Sequence, residues 1–213
     1  MNKDRLKICQ PPNVGWLAYK LNSKELDYVW RCIENKKERH NNNLAGNISN
    51  SYTLLDRGNW FWMNVILPLV GVYNDKFENL GNDAPINVQH PYELYSWWVN
   101  YQKQNEFNPL HNHGGMYSFV IWMKIPEGAG YKKQNRIKIS ADSNYPCVSA
   151  FSFAYSNILG TCKSFEYKLE PEDEGTLVLF PSQLRHLVYP FYNCDEDRIS
   201  VSGNISMNTS IRL

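Results

Sequence analysis

The sequence has little net charge and no long apolar run, and each shortage excludes a class of protein. Its 22 Lys and Arg residues nearly balance 21 Asp and Glu residues, for a formal net charge of +1. The concentrated positive field that binds nucleic acid is therefore missing. The longest apolar stretch, residues 60–73, is interrupted by polar and turn residues and is shorter than the roughly 20 residues that cross a bilayer. We expect neither a nucleic-acid partner nor a membrane span.

Cysteines and common catalytic motifs are also scarce. The five cysteines are odd in number and include no C-x-x-C, which argues against a disulfide framework and a zinc knuckle. The first residues, MNKDRLKICQPPN, are charged where a secretory signal is apolar, so we predict a cytoplasmic protein. No glycine-rich phosphate loop or G-x-S-x-G is found, which disfavours nucleotide-binding enzymes and serine hydrolases.

What remains is the composition of an ordinary globular protein. Hydrophobic residues make up 43% of the 213 residues and charged residues 20%, which is enough apolar surface for a buried core. The length favours one domain. We predict a single domain over residues 1–213, in which residues 1–90 supply an N-terminal strand and supporting helices and residues 92–206 form a β-rich core.

The first part of the chain carries clear helix signals. Asn22 is a predicted N-cap with Glu25 at the third helical position, the pattern of a capping box. Apolar residues then follow at helical spacing, namely Leu26, Val29, Trp30 and Ile33. A second helix is predicted within residues 60–79. The asparagine-rich stretch 41–51 has no period and is predicted to be a loop, either a lid or an exposed excursion.

After residue 91 the pattern changes to short β-branched and aromatic segments between turn residues. This pattern predicts an α+β chain that is mainly β, with a sandwich or closed barrel and helices packed outside it. The predicted strands are 92–101, 116–125, 136–139, 165–169, 176–180, 186–191 and 198–205.

Three of the five histidines stand at the ends of predicted strands, where their side chains can meet at one metal site. His111 and His113 are two residues apart, so an extended backbone directs both to one side. His186 follows a separate strand and would complete a three-ligand metal site. Three imidazoles suit Zn, Fe, Ni or Cu and leave coordination positions open for chemistry. The alternative is that the H-x-H pair is two surface histidines at a strand end.

The segment from His186 to Ser200 reads as a hairpin whose polar tip lies at residues 193–195. Such a hairpin places Arg198 opposite His186, because cross-strand neighbours are only about 5 Å apart at Cβ. Arg198 and Ser200 share a face and can together hold one carboxylate of a small diacid, while its other end reaches the metal.

In order and spacing, these residues resemble the iron(II)- and 2-oxoglutarate-dependent oxygenases, whose ligands are H-x-D and a distal histidine followed by R-x-S. The similar segments are FNPLHNHGGMYSFVIWMKIP, GTLVLFPSQLRHLVYP and RISVSGNI, within residues 97–205, and they are most similar to an uncharacterised branch. The resemblance implies a double-stranded β-helix, a jelly-roll or cupin-like barrel. It also implies Fe(II) as cofactor, 2-oxoglutarate as co-substrate, and roles for His111, His186, Arg198 and Ser200.

One position departs from the family pattern, because His113 stands where the aspartate of H-x-D is expected. Three explanations are open. His113 coordinates in its place; or the metal has two histidines and water; or His113 is the first ligand and Gly115 stands at the acid's position. We favour the first. A neutral histidine in place of aspartate makes the site one unit more positive, which strengthens its hold on a dianionic co-substrate.

The resemblance implies a dioxygenase that hydroxylates a substrate with release of succinate and CO2. The substrate class is a small molecule or an amino acid or peptide, and the sequence predicts no particular oligomeric state. Tyr117, Ser118 and Asn204 are further candidates for binding the co-substrate. Two alternative functions are a cupin-like metalloenzyme with a three-histidine site that does not use 2-oxoglutarate, and a non-catalytic β-barrel binding module.

Overall fold

The structure, a computed structural model, describes residues 13–41, 44–84, 88 and 90–210. Its strands form two antiparallel sheets. The strands are β1 (Leu17–Lys20), β2 (Asn50–Thr53), β3 (Tyr92–Gln102), β4 (Asn108–His111), β5 (Tyr117–Lys124), β6 (Phe151–Ser156), β7 (Cys162–Tyr167), β8 (Thr176–Pro181), β9 (Arg185–Val188) and β10 (Arg198–Met207). The larger sheet has the order β1-β8-β5-β10-β3-β2, and the smaller sheet has the order β4-β9-β6-β7.

The chain passes repeatedly between the two sheets. Of the strands from β3 onward, β3, β5, β8 and β10 lie in the larger sheet, while β4, β6, β7 and β9 form the smaller one. Two antiparallel sheets built from eight such strands are the arrangement of a jelly roll. The predicted fold, mainly β with a jelly roll and a few supporting helices, is therefore confirmed.

Two helices support the larger sheet, as predicted. Helix α1 (Ser23–Glu34) begins at Asn22, whose side chain accepts a hydrogen bond from Glu25 N at 3.0 Å, while a Glu25 carboxylate oxygen accepts one from Asn22 N at 2.9 Å. This is the capping box that the sequence predicts. A π-helical turn, Trp62–Ile66, leads directly into α2 (Leu67–Phe77).

The two faces of the larger sheet differ because successive strand residues point to opposite sides. Its outer face packs against the helices in the main apolar core; Phe61, for example, stacks on Trp97 with ring centroids 5.3 Å apart. Its inner face meets the smaller sheet in a second apolar cluster, which includes Val120, Trp122 and Phe153. The site described below lies on this inner face.

One predicted strand of the β region is wrong. The residues predicted as the strand 136–139 instead lie in the turn after α3 (Tyr131–Gln134) and at the start of α4 (Lys138–Ala141). The alternating Arg-Ile-Lys-Ile pattern suits a strand, but local bonds hold the segment: Ser140 Oγ donates to Gln134 O at 2.6 Å. The strands β2, β4 and β6 were not predicted, and β2 begins within the stretch 41–51 that was predicted to be a loop.

The predicted hairpin from His186 to Ser200 is also wrong. Strand β9 pairs with β4 and β6 in the smaller sheet, whereas β10 pairs with β3 and β5 in the larger sheet. The segment between them crosses from one sheet to the other. Within the described ranges, none of the helices has the length and apolar character needed to cross a bilayer.

Candidate active site

Three histidines come together at one end of the smaller sheet. His111 in β4 and His186 in β9 are direct partners across the antiparallel pair, with ring centroids 4.3 Å apart. His113 follows β4, and its Nε2 lies 3.1 Å from Nε2 of His186. One ring nitrogen from each of the three residues lies within 4.8 Å of the others. The structure thus brings together all three predicted ligands.

Backbone carbonyls orient two of these rings. His111 Nδ1 lies 2.7 Å from Pro109 O and His186 Nδ1 lies 2.9 Å from Leu184 O. An Nδ1–H that donates to a carbonyl leaves the lone pair on Nε2, the usual arrangement for a metal-binding histidine. The backbone N–H of His113 donates to Ser182 O at 2.9 Å, which holds this residue beside the β8–β9 turn.

Burial keeps the three imidazoles neutral. Burial, assisted by the neighbouring histidines, lowers the pKa of His186 to about 3 and that of His113 to about 4. Burial also lowers the pKa of His111. The neutral imidazole is the form that binds metal. Two nitrogens that each lie about 2.1 Å from one metal ion are about 3 Å apart at a right angle, close to the separation of His113 and His186.

The histidines open onto a cavity of about 650 Å³ between the two sheets. Because β3 and β10 are neighbours, alternate residues of both strands face this cavity in matched pairs. The pairs are Gln102 with Arg198, Asn100 with Ser200, Trp98 with Ser202, and Ser96 with Asn204. The Trp98 ring lies 5.8 Å from the His113 ring. The cavity therefore runs from Arg198 at one end, past the histidines, to Asn204 at the other.

Arg198 is the only charged side chain among the described residues that line the cavity, and it is 2% exposed. Its Nε and Nη2 donate to Gln102 Oε1 at 3.1 and 2.7 Å. Its Nη1 donates to the carbonyl and hydroxyl oxygens of Ser149 at 2.6 and 3.0 Å, and Nη2 also donates to Tyr189 O at 3.2 Å. Burial lowers its pKa to about 10, so the guanidinium is charged at neutral pH.

The structure separates the other predicted co-substrate residues. Ser200 lines the cavity beside Asn100. Ser118 lies behind the wall, where its Oγ donates to Asn204 Oδ1 at 2.9 Å. Tyr117 is fully buried in the outer core instead, and its hydroxyl donates to Asn74 Oδ1 at 2.6 Å. Adjacent residues of β5 face opposite sides of the sheet, so Tyr117 lies on the face that is turned away from the cavity.

Asn204 lies at the opposite end of the cavity from Arg198. The two residues are six positions apart on β10, and a strand rises about 3.3 Å per residue, so their Cα atoms are about 20 Å apart along it. A five-carbon diacid held by Arg198 does not span this distance. The structure therefore does not bring Asn204 and Arg198 together on one co-substrate molecule.

Two further features complete the description of the cavity. Trp98 is 3% exposed, and its Nε1 is a buried donor with no acceptor among the described residues. Its ring stacks on His40 at 5.0 Å. The predicted loop 41–51 also contributes, because residues 44–46 line the cavity, whereas residues 42 and 43 lie outside the described ranges. Inward alternation along β3 is the signal that marks Trp98.

Comparison with known families agrees with this geometry. A family model described as "Putative 2OG-Fe(II) oxygenase" matches residues 96–204, just over half of the 213 residues, and the match includes the three histidines and Arg198. The chain belongs to this oxygenase family. As a 2OG-Fe(II) oxygenase it has Fe(II) as cofactor and 2-oxoglutarate as co-substrate, the two that the sequence predicts.

Solved structures support the fold of this oxygenase. A prolyl-4-hydroxylase from Pseudomonas putida is similar with a TM-score of 0.51 and 14% identity, over 92% of this chain and 94% of that one. The non-heme alpha-ketoglutarate-dependent epimerase SnoN from nogalamycin biosynthesis has a TM-score of 0.50 and 12% identity, over 91% and 78% of the two chains. At these identities the likeness concerns the fold alone. No curated protein matches the sequence.

Proposed function

We propose that the protein is an Fe(II)- and 2-oxoglutarate-dependent hydroxylase whose iron is bound by His111, His113 and His186. The observation that carries the proposal is the cluster of three ring nitrogens within 4.8 Å, open to a cavity that also contains the buried Arg198. The donor set fits the metal because neutral imidazoles bind iron and three protein ligands leave positions for other molecules. When bound, iron and 2-oxoglutarate supply oxidation of a substrate C–H bond by dioxygen, with succinate and CO2 released.

His113 takes the place of the family's aspartate in this proposal. Its Nε2 is as close to His186 as a shared ligand requires, and its backbone is held by Ser182. Gly115 has no side chain with which to coordinate, and His111 is the direct strand partner of His186. These contacts favour three histidines over either alternative ligand set.

Arg198 and Ser200 are the proposed binding site for the distal carboxylate of 2-oxoglutarate. All five N–H groups of Arg198 already have protein partners, so a carboxylate must replace one of them. Gln102 Oε1 is the candidate, because this one neutral oxygen accepts from both Nε and Nη2. A charged carboxylate makes hydrogen bonds about twice as strong as a neutral amide oxygen does, so the exchange is favourable.

The apolar residues near the histidines have a separate role. The rings of Phe151 and Phe180 lie 5.6 and 5.0 Å from the His186 ring, and Trp122 is packed in the same cluster. These side chains exclude water from one side of the metal site. Exclusion of water strengthens the electrostatic interactions within a site and prevents side reactions.

An anaerobic titration tests the proposal. Fe(II) is added to the purified protein, followed by 2-oxoglutarate, and metal binding and the visible charge-transfer absorption are recorded. We expect His186→Ala to abolish iron binding. Arg198→Gln should keep iron but weaken 2-oxoglutarate binding about tenfold or more, because a charge-assisted pair is lost. Arg185→Gln is the matched control, since Arg185 is exposed in the same region and should leave both affinities unchanged.

The outcomes separate the candidate functions. Unchanged 2-oxoglutarate binding by Arg198→Gln would show that the carboxylate role is wrong. Iron binding without any 2-oxoglutarate binding by the unmodified protein would instead support the three-histidine, cupin-like alternative. Release of succinate in air, with a candidate substrate present, tests the oxygenase reaction itself.

Two substitutions at His113 test the ligand set. His113→Ala should lower iron affinity, because one of three protein ligands is removed, whereas His113→Asp should retain binding through a carboxylate. Both affinities are measured by the same titration. Full iron affinity in His113→Ala would remove this residue from the metal.

A further inference from the structure

The cavity has an unusual charge balance, provided that the proposed function holds. Among the described lining residues there is no Asp or Glu, and Arg198 is the one charged group. Bound Fe(II) contributes two positive charges and Arg198 one, while the three histidines are neutral. A 2-oxoglutarate dianion cancels two of these three charges. One positive charge remains, and an uncompensated charge in a buried site is costly, so a further anion would be stabilised there.

Asn204 presents hydrogen-bond donors at the end of the cavity far from Arg198. Its Oδ1 accepts from Ser118 Oγ at 2.9 Å, and Ser118 Oγ lies 2.9 Å from Ser182 Oγ. Because the Ser118 hydroxyl donates its single proton to Asn204, the Ser182 hydroxyl must be the donor in its hydrogen bond with Ser118. This relay fixes the amide oxygen of Asn204 toward the wall. The two protons on Nδ2 then have only Ser96 Oγ, at a long 3.5 Å, among the described residues.

Trp98 adds a second donor in the same region. Trp98 pairs with Ser202, and the next cavity-facing residue pair along the two strands is Ser96 with Asn204. The buried Nε1 of Trp98 has no acceptor among the described residues. A buried donor without a partner costs free energy comparable to a lost hydrogen bond, which an acceptor on a bound molecule would restore.

This end of the cavity is distinct from the co-substrate site. Arg198 and Asn204 are about 20 Å apart along β10, and the Trp98 ring, which borders the metal site at His113, lies between them. A molecule that binds at Ser96, Trp98 and Asn204 therefore approaches the metal from the side opposite to Arg198. It can be present together with 2-oxoglutarate.

We propose that the region formed by Ser96, Trp98 and Asn204 is the substrate subsite, and that it takes a small molecule with a carboxylate group. The amide protons of Asn204 and the indole N–H of Trp98 donate to the carboxylate oxygens. The carboxylate also cancels the positive charge that remains after 2-oxoglutarate binds. The selectivity for a carboxylate thus follows from the available donors of Trp98 and Asn204, and from the replacement of the family's aspartate ligand by the neutral His113.

Calorimetric binding to a charge-matched panel tests this inference. The protein is loaded with Mn(II) and saturated with 2-oxoglutarate in the absence of oxygen. It is then titrated with N-acetyl-L-amino acids and with the neutral carboxamide of each. We expect at least one acid to bind and its carboxamide to bind about tenfold more weakly, because hydrogen bonds to a charged acceptor are the stronger ones.

Two variants locate the binding. Trp98→Phe removes the indole N–H but keeps an aromatic ring, and Asn204→Asp replaces donors with a negative charge. Both should weaken acid binding about tenfold, and Trp98→Phe should leave the affinity for 2-oxoglutarate unchanged. Asn64→Asp is the control, because Asn64 is exposed on the π-helical turn outside the sheet and should have no effect.

Three results would overturn the inference. The first is equal binding of acids and carboxamides, and the second is acid binding that survives both substitutions. The third is that no panel member binds at about 10 mM, a concentration above the millimolar dissociation constants of weak ligands. All three results refer to protein that still binds 2-oxoglutarate. Failure of 2-oxoglutarate to bind the Mn(II) protein would be a different result, because it overturns the proposed function and this inference with it.

Discussion

Single residues decide the chemistry of this site through their protonation and their contacts. The histidines are useful as ligands because burial keeps them neutral, with the pKa of His186 lowered to about 3 and that of His113 to about 4. The same pKa shifts lower the stability of the metal-free protein in acid, since the buried imidazoles bind a proton less readily than the same imidazoles in the unfolded chain.

We therefore predict that acid destabilises the metal-free protein from about pH 6.5 downward. The pKa of both histidines is lower in the folded state than their ordinary value of 6.5. The stabilisation is complete above pH 6.5 and is lost as the pH falls toward the folded values. Each histidine should contribute a slope of about 1.4 kcal/mol per pH unit. Urea unfolding between pH 7 and pH 5, with a chelator present, measures this slope.

His186→Leu is the informative variant for this prediction. It replaces the deeper of the two imidazoles with a side chain that does not titrate, so the free energy of unfolding should depend less steeply on pH. An equal slope in the unmodified protein and in His186→Leu would contradict the prediction.

At the scale of elements, the connection from β4 to β5 places His113. Gly115 has φ of +95°, a conformation that favours glycine, and a Cβ at this position would lie 2.6 Å from Ile205 O in β10. The backbone of Met116 then donates to the same carbonyl at 2.7 Å. The turn thus passes close to the C-terminal part of β10 before β5 begins.

We predict that Gly115→Ala lowers both stability and metal affinity. The new methyl group must displace the backbone at Ile205, and an alanine must adopt a strained positive φ, which costs about 1–3 kcal/mol. The resulting backbone movement also displaces His113, which lies two residues earlier. Gly114→Ala is the matched control, because a Cβ there has open space. Urea unfolding and Fe(II) titration of the two variants give the comparison, and equal behaviour would contradict the prediction.

At the scale of the whole molecule, the two sheets carry different tasks. The larger sheet is held from outside by helices α1 and α2 and the apolar core they share with it. The smaller sheet supplies two of the histidines, and the cavity lies between the sheets. Ligands that bind in this cavity bridge the two sheets, so they should stabilise the fold as a unit.

We predict that metal and 2-oxoglutarate raise the melting temperature in two steps. A ligand at 100 times its dissociation constant stabilises the folded state by about 2.7 kcal/mol, which corresponds to roughly 5–10 °C for a chain of this size. Differential scanning fluorimetry without oxygen measures both steps. Arg198→Gln should keep the metal step and lose about half or more of the second one, whereas Arg185→Gln should keep both. A second step of full size in Arg198→Gln would contradict this expectation.

Much of the architecture was predictable from local signals. The capping box at Asn22 and Glu25 identifies the start of α1, because the two hydrogen bonds join residues three positions apart. Alternating β-branched and aromatic residues likewise predict the strands β3, β5, β8 and β10, apart from their ends. The three histidines and Arg198 were predicted from their spacing and from the resemblance to a family whose order of motifs is the same.

Strand pairing determined what the sequence interpretation missed or placed wrongly. Arg198 reaches the cavity because β10 lies between β3 and β5, and its partner Gln102 is 96 positions away; a hairpin from His186 is not involved. The same pairing creates the row of Trp98 and Asn204, and the alternation of β5 turns Tyr117 away.

The sequence by itself determined which residue types occur, in which order, and the approximate positions of α1 and of the strands β3, β5, β8 and β10, since those depend on neighbours within a few positions. Only the tertiary structure decided which side chains share the cavity, which hydrogen bonds already occupy Arg198, and that Trp98 Nε1 has no described partner. The physical reason is that strand pairing joins residues about a hundred positions apart, and no local pattern specifies the partner.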